Sequence, residues 1–216
     1  MNRKILHLTE NIRAHGFMIT IIIYYRRLIN RLFNLIVIGR KDCSIDSRAK
    51  ILGINYMEIG KHFSAGKGLW LEAVTESNTY IPKLIIGNDV SLSDFNHIGA
   101  AHYVKIGNHV LFGSKCYVTD HNHGIYKGEN QSPVKVPPVE RKLTINGFVI
   151  IDDNVWLGDN VVILPNVHIG YGAIIGANSI VSRDIPSNSI AVGIPARVIK
   201  RYDRKLKKWI SIETGV

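Results

Sequence analysis

The hydrophobic pattern of residues 151–185 has a period of six. Each unit opens with an aliphatic residue: Ile151, Leu157, Ile163, Ile169, Ile175 and Val181. An α-helix cannot keep a period of six on one face, and two-residue alternation does not explain why the opening position is always large. Short strands joined by tight corners explain both the period of six and the large opening residue. In such strands the first and fifth residues of each unit point inward, and Gly, Asn and Asp occupy the bends. Three units then complete one turn of a triangular parallel β-helix.

The same phase is weaker in the preceding part of the chain. Units open at Ile45, Ile51, Ile59, Ala65, Leu71, Ile86 and Ile106. A break over 77–84 is interpreted as a loop, and a second gap begins at Gly124, after which the phase resumes at Ile145 or Ile151. This gap, residues 124–144, contains three prolines and mixed charges, which predicts a long excursion from the coil. Long loops inside compact domains are usually functional.

Residues 1–41 lack the repeat. Their longest apolar run, 17–25, is stopped by Arg26 and Arg27 and is much shorter than the roughly 20 apolar residues of a membrane-spanning helix. Apolar residues interleaved with arginines suit a helix lying on an anionic membrane surface. A helix that covers the open end of the β-helix is the alternative, and repeat architectures need such a cap. The sequence leaves both interpretations open.

The chain therefore divides into three segments. Residues 1–41 form an N-terminal helical and basic segment, residues 42–202 form an all-β domain that carries the loop 124–144, and residues 203–216 form a tail. In the tail Leu206, Trp209 and Ile210 keep helical spacing, which predicts a short C-terminal helix.

The net charge of +10 is concentrated at the two ends of the chain. Residues 1–41 carry eight basic and one acidic residue, and residues 197–208 carry seven and one, so the remainder is net acidic. A nucleic-acid-binding protein more often presents a basic central surface with interleaved aromatic residues, so no nucleic-acid partner is expected. Two cysteines make no disulfide framework; Cys116 falls at an inward position, and a cytoplasmic location is the natural expectation.

Three segments give the sequence a family resemblance: VWLG at 155–158, IGANSIVSRDIP at 175–186 and VGIPARVI at 192–199. With them, residues 43–202 resemble the hexapeptide-repeat acyltransferases. The similarity is to the maltose/galactoside O-acetyltransferase branch, and within it to enzymes of bacterial surface polysaccharide synthesis. The resemblance implies a left-handed β-helix, a homotrimer with active sites between subunits, acetyl-CoA as donor, a histidine as general base and no required metal.

The resemblance places the base five residues beyond a repeat's opening position, just before the long loop. Counting from Val118 selects His123, with His121 as the second candidate and Asp120 able to orient either ring. Imidazole suits the role because it titrates near neutrality and can take the proton of a sugar hydroxyl as that oxygen attacks a thioester. Alternatively, the two histidines only cap a loop turn.

The resemblance also implies the substrate-binding residues. The cofactor-binding candidates are Trp156, Gly158, Asp159, Ala177, Ser182, Arg183 and Lys200. Asp159 departs from the small residue frequent in the family, and the basic residues suit the phosphates of the cofactor. The acceptor-binding candidates, in the coil before the histidines, are Ser93, Asp94 and Asn96. Each residue could instead serve repeat packing or the solvated surface.

The preferred function is transfer of an acetyl group to a sugar hydroxyl of a glycan or glycan precursor, with residues 1–41 able to hold the enzyme at the inner face of the membrane. An N-acetyltransferase of an amino sugar nucleotide would use the same base and remains an alternative. A non-catalytic trimeric scaffold is another. In the same fold class the γ-carbonic anhydrases hold zinc with histidines, and His102, His121 and His123 could imitate that arrangement.

Overall fold

The computed structural model describes residues 3–73, 83–143 and 147–212, with side chains from residue 9 onward. Two α-helices, α1 Arg3–His15 and α2 Phe17–Phe33, precede the strands, and a π-helical turn, Asn34–Ile38, follows α2. In chain order the strands are β1 Ser44–Ile45, β2 Lys50–Leu52, β3 Met57–Ile59, β4 Ser64–Ala65, β5 Trp70–Ala73, β6 Leu84–Ile86, β7 Ser91–Leu92, β8 His97–Ala100, β9 Tyr103–Ile106, β10 Leu111–Phe112, β11 Tyr117–Thr119, β12 Phe148–Ile151, β13 Trp156–Leu157, β14 Val162–Ile163, β15 Val167–Ile169, β16 Ile174–Ile175, β17 Ile180–Val181, β18 Ser189–Gly193, β19 Ala196–Asp203 and β20 Lys208–Ser211.

Successive strands join three sheets in rotation. Within the described residues, sheet 1 has the order β1-β4-β7-β10-β13-β16-β18-β19-β20, sheet 2 the order β17-β14-β11-β8-β5-β2 and sheet 3 the order β15-β12-β9-β6-β3. All pairings are parallel except β18 with β19 and β19 with β20. Each coil thus crosses a first corner (sheet 1 to 2), a second corner (sheet 2 to 3) and a third corner (sheet 3 to 1). This is consistent with the left-handed parallel β-helix that the resemblance predicts.

The predicted inward register is confirmed. All six opening residues of 151–185 are at most 1% exposed, and the fifth-position residues are at most 4% exposed. At the corners the backbone turns through the left-handed region, and asparagine often takes that place, as at Asn154, Asn160 and Asn178. Asparagine suits these positions because its short polar side chain tolerates positive φ better than other residues do. Cys116 is buried, as its inward position predicted, and Cys43 is buried as well; the two do not form a disulfide.

The N-terminal segment is helical, as predicted, and its end covers the first coil. The Asn34 side chain donates to the carbonyl of Ile45 (2.8 Å) and accepts from its N–H (3.0 Å). Phe33 and Ile38 pack against the core of the β-helix. The cap interpretation is therefore supported by direct contacts. Within the described residues, no helix has both the length and the apolar character required to cross a bilayer.

The C-terminal helix predicted over 203–216 is absent from the described part of the tail. Residues Lys208–Ser211 instead form β20, which pairs antiparallel with β19, and the Trp209 ring packs against Tyr202 at 5.2 Å. The Asp203 carboxylate accepts hydrogen bonds from the N–H groups of Lys205 (2.8 Å) and Leu206 (2.9 Å), which fixes the reversal. Pairing with an available strand edge satisfies backbone groups that an exposed short helix would leave to water. Residues 213–216 lie outside the described chain.

The predicted excursion leaves the coil at the second corner, after β11, and the chain returns in β12. Arg141 holds its described part together by donating to the carbonyl of Val136 (2.8 Å) and to the hydroxyl of Tyr126 (2.8 Å). The last predicted loop residue, 144, and residues 77–82 of the other predicted loop lie outside the described residues. The base of this loop therefore lies beside the candidate histidines.

Candidate active site

Asp120 follows β11 at the second corner and is fully buried. Its carboxylate accepts hydrogen bonds from the N–H groups of Ala101 (2.8 Å), His102 (2.8 Å) and Tyr103 (2.6 Å) in the preceding coil. Burial by itself opposes ionisation, but these bonds and a further one to His121 outweigh it and lower the pKa of the Asp120 carboxyl below its usual value. The coil therefore holds an ionised aspartate at the point where the long loop begins.

His121 uses this carboxylate directly. Its Nδ1 lies 2.9 Å from Oδ1 of Asp120 and 3.3 Å from the Thr119 hydroxyl, and its side chain is only 11% exposed. A carboxylate facing Nδ1 stabilises the tautomer that carries its proton there. Nε2 then holds the lone pair that can accept a proton. An oriented, partly buried imidazole with a carboxylate behind it is a suitable general base.

His123 has a different environment. Its side chain is exposed, its backbone pairs with Leu143, and its carbonyl accepts the hydroxyl of Tyr126. The centroid of its ring lies 6.5 Å from that of His121, in an edge-to-face arrangement. Its described contacts thus belong to the base of the loop, and the carboxylate that could orient a histidine faces His121 instead.

The acceptor candidates lie at the first corner, between β7 and β8. Asp94 accepts a hydrogen bond from the backbone N–H of Lys67 (3.0 Å), lies 3.6 Å from its ammonium group, and keeps 42% of its side chain exposed. Ser93 is partly exposed beside it. The prediction that Asn96 binds the acceptor is wrong, because this residue is fully buried. Its side chain donates to the carbonyls of Ser93 and Gly113 and accepts from the N–H of Cys116, so it joins coils and has no exposed surface for an acceptor.

Four of the cofactor candidates come together at the same first corner, two and three coils further along. They line a groove of about 330 Å³ with neighbouring residues of sheet 1: Trp156, Gly158, Asp159 and Ala177. The Trp156 side chain is half exposed, and Asp159 accepts a hydrogen bond from the N–H of Ser114 (2.5 Å). Gly158 packs so closely that an added Cβ would lie 2.6 Å from the backbone nitrogen of Ala177. The groove is therefore narrow and shaped by glycine.

The remaining cofactor candidates lie elsewhere. Ser182 and Arg183 are exposed at the second corner after β17, and Lys200 is on β19, opposite Ile190 and Ser211. Within one chain, the histidines at the second corner and the groove at the first corner are separated by the width of sheet 2. The structure therefore separates the histidines from the four groove residues, whereas Ser182 and Arg183 lie at the same corner as the histidines.

Nowhere in the described part of the chain do three His, Cys, Asp or Glu side chains converge as metal ligands would. His102 donates through Nδ1 to the carbonyl of Gly147 (2.8 Å), a bond that joins the second corner to the start of β12.

A cluster on the outer face of sheet 2 carries no recognisable motif in the sequence. Trp70 and His97 stack with ring centroids 4.1 Å apart, and Glu72 lies between them and His121. Each of these residues follows or precedes an inward aliphatic residue by one position, so the sequence predicts that their side chains point outward. It does not predict that they lie close together, because residues 72, 97 and 121 belong to three different coils.

Residues 148–183 match the family model described as bacterial transferase hexapeptide, six repeats. The chain is 38% identical over 154 residues to WbbJ of Escherichia coli K12, which is named for O-acetyl transfer in lipopolysaccharide biosynthesis; the match covers 71% of this chain and 76% of the relative. It is also 38% identical over 100 residues to galactoside O-acetyltransferase of Lactococcus lactis, covering 46% of this chain and 44% of the relative.

Two solved structures show the same architecture. AntD, an N-acyltransferase from Bacillus cereus in complex with dTDP and 3-hydroxybutyryl-CoA, has a TM-score of 0.62 at 23% identity and covers 77% of this chain and 83% of its own. PerB from Caulobacter crescentus, in complex with CoA and GDP-perosamine, has a TM-score of 0.51 at 17% identity and covers 79% and 66%. At these identities the similarity shows the fold alone. The sequence relatives carry the assignment: the chain belongs to the hexapeptide-repeat acyltransferases, in the branch that contains galactoside and lipopolysaccharide O-acetyltransferases.

Proposed function

We propose that this protein is an O-acetyltransferase that moves an acetyl group from acetyl-CoA to a sugar hydroxyl in surface glycan synthesis. The observation that supports it most is the buried Asp120 carboxylate 2.9 Å from Nδ1 of His121. Similarity over 154 residues to a protein named for O-acetyl transfer in lipopolysaccharide biosynthesis supports the class of acceptor. The geometry favours His121 over His123 as the base, which reverses the preference that counting along the repeat suggested.

The proposed reaction needs one proton to move twice. Nε2 of His121 takes the proton of the acceptor hydroxyl as its oxygen attacks the thioester carbonyl, forming a tetrahedral intermediate. The carbon–sulfur bond then breaks, and the imidazolium returns the proton to the departing thiolate of CoA. Asp120 stays ionised throughout and stabilises the imidazolium, as its strong set of hydrogen bonds allows. No acyl-enzyme is required.

We infer a homotrimer in which the active sites lie between subunits. The two halves of the proposed machinery lie at different corners of one chain, so a complete site requires the second corner of one copy beside the first corner of another. In that arrangement Trp156, Gly158, Asp159 and Ala177 receive the pantetheine arm, while Ser182, Arg183 and Lys200 face the phosphates. In the same arrangement Ser93 and Asp94, which are partly exposed at the first corner, would contact the acceptor.

We further propose that α2 rests on the anionic inner face of the cytoplasmic membrane. Most of its apolar side chains are exposed, including Phe17 (63%), Met18 (68%), Tyr25 (64%) and Leu28 (56%). Arg26, Arg27 and Arg31 lie on the same helix, and their guanidinium groups suit phosphate headgroups. An enzyme held there would meet lipid-linked glycan precursors, which fits the proposed acceptor.

An N-acyltransferase acting on an amino sugar nucleotide is the second candidate, because AntD and PerB, whose structures share the fold, bind nucleotides or nucleotide sugars.

Thiol release from acetyl-CoA should be measured with matched hydroxyl and amino sugars, free and as glycan precursors. We expect hydroxyl acceptors to be acetylated and His121→Ala to abolish turnover while acetyl-CoA still binds. Turnover confined to amino sugars would favour the second candidate. Binding of acetyl-CoA with no transfer to any acceptor would favour a scaffold.

A further inference from the structure

The outer face of sheet 2 carries the carboxylate of Glu72, which has no role in the proposed proton transfer. Glu72 lies on β5, where Leu71 and Ala73 point into the core and Glu72 points outward. Its side chain is 19% exposed, so the carboxylate is largely enclosed and still reachable. Its strand pairs with β8 so that Glu72 lies beside Gly99, and Gly99 in turn lies beside Thr119, two residues before His121.

Two aromatic neighbours fix the Glu72 carboxylate. The indole N–H of Trp70 donates to Oε2 (3.0 Å), and Nε2 of His97 lies 3.2 Å from Oε1. The two rings stack on each other with an interplanar angle of 10°, and the Lys50 ammonium lies 3.8 Å from the centroid of the Trp70 ring. The carboxylate is therefore held in one orientation, and each oxygen keeps a lone pair for a further donor.

Gly99 opens a gap between this carboxylate and the proposed base. A Cβ at position 99 would lie 3.4 Å from Oε1 of Glu72 and 3.5 Å from Cε1 of His121. Both groups thus border the same space above a strand position without a side chain. Because the carboxylate only accepts hydrogen bonds, the ligand group that meets it must be a donor.

We propose that Glu72 binds the acceptor by accepting a hydrogen bond from the hydroxyl next to the one that is acetylated, so that the preferred substrate is a sugar with two adjacent hydroxyls. This inference rests on the proposed function and deepens it. His121 takes the proton of one hydroxyl, and Glu72 orients the ring through its neighbour. Trp70 and His97 are positioning residues that hold Glu72.

The test compares Glu72→Gln with wild type on methyl glycosides and on their counterparts lacking the adjacent hydroxyl. Glu58→Gln is the matched control, because Glu58 points outward from β3 on a different sheet. We expect Glu72→Gln to reduce kcat/KM for the diol about 10- to 100-fold, mainly through KM. Removing the adjacent hydroxyl should cost wild type more than it costs Glu72→Gln, because the amide oxygen accepts only a weaker, neutral hydrogen bond, and a double-mutant cycle measures the difference.

Gly99→Ala provides a second variant that leaves the carboxylate in place. Its methyl group would make ordinary contacts with Glu72 and His121, so the fold should be retained while the gap is filled. We expect a higher KM for the diol and unchanged affinity for acetyl-CoA. Unchanged acceptor kinetics in both Gly99→Ala and Glu72→Gln would overturn the inference and leave the proposed function standing.

Titration calorimetry with the same glycosides measures the contact without turnover. Weaker binding of the diol by Glu72→Gln supports the inference even if no acceptor is acetylated, an outcome that would count against the proposed function alone. Equal binding by Glu72→Gln and wild type contradicts the inference. Wild type that neither binds nor acetylates any diol of the panel overturns both.

Discussion

Oδ1 of Asp120 lies 2.9 Å from Nδ1 of His121, and the same carboxylate accepts three backbone N–H groups from the preceding coil. The pair is therefore anchored in the β-helix, although it stands at the mouth of a long loop. This anchoring matters because a general base must keep its orientation while substrate and product exchange.

Asp120→Asn should lower kcat by about 100-fold or more, because the amide cannot favour the Nδ1–H tautomer or stabilise the imidazolium. It should also lower the free energy of unfolding by about 1–3 kcal/mol, since the charged acceptor for three N–H groups is lost. Steady-state kinetics and urea unfolding measure the two effects. Asp203→Asn is the control: it removes a carboxylate that accepts backbone N–H groups of the tail and forms no described contact with a histidine, so it should leave kcat unchanged. Wild-type kcat in Asp120→Asn would contradict the assignment.

His121→Ala should be inactive, whereas His123→Ala should keep most of its activity. The physical reason is that the carboxylate orients the ring of His121, while His123 is exposed at the loop base. Thiol release in the presence of acceptor gives the rates, and equilibrium binding of acetyl-CoA shows that both variants remain folded. An inactive His123→Ala with an active His121→Ala would restore the assignment that the repeat count suggested.

Trp156→Ala should weaken acetyl-CoA binding about 10- to 100-fold, because a half-exposed indole at the groove would lose its apolar contact with the ligand. The melting temperature should change little, since the side chain is not part of the core. Trp209→Ala is the matched control, with an exposed indole on the tail hairpin. Equal affinities in the two variants would place the donor elsewhere.

Acidification should destabilise the first coil through Asp46. The hydrogen bond from Arg48 is the main cause that lowers the pKa of Asp46 from 3.8 to about 2. Because the folded-state pKa lies below the unfolded one, the contribution is fully present above pH 4 and is lost as the pH falls toward 2. Arg48 is 53% exposed, so solvent screening should keep the effect under about 1 kcal/mol. Urea unfolding at pH 7 and pH 3 should show a smaller loss for Asp46→Asn than for wild type; equal losses would contradict the prediction.

Met18→Glu with Tyr25→Glu should abolish binding to vesicles of anionic phospholipid, because two charges would enter the exposed apolar face of α2. Cosedimentation measures binding, and high salt should weaken it in wild type. Val134→Glu, at an exposed apolar residue of the loop, is the matched control and should bind like wild type. Retained vesicle binding in the double variant would argue against the membrane assignment, and a changed oligomer mass would indicate that α2 instead contacts another copy of the chain.

The sequence by itself determined the coil, because a period of six with an aliphatic residue at each opening position can bury its apolar side chains in only one way. It also indicated that helical structure precedes the β-helix and that the long loop leaves the coil at the histidines. It did not determine the tail, where Leu206, Trp209 and Ile210 have helical spacing but the open edge of β19 offers better partners for the backbone.

Only the tertiary structure distinguished the two histidines. Counting along the repeat favoured His123, whereas in the structure N–H groups of residues 101–103, one coil away, hold the Asp120 carboxylate against the ring of His121. Because the coils stack, Asn96 is buried between them and Glu72 lies at the gap beside His121. Repeat periodicity specifies which way each side chain points, whereas the register between coils decides which side chains meet.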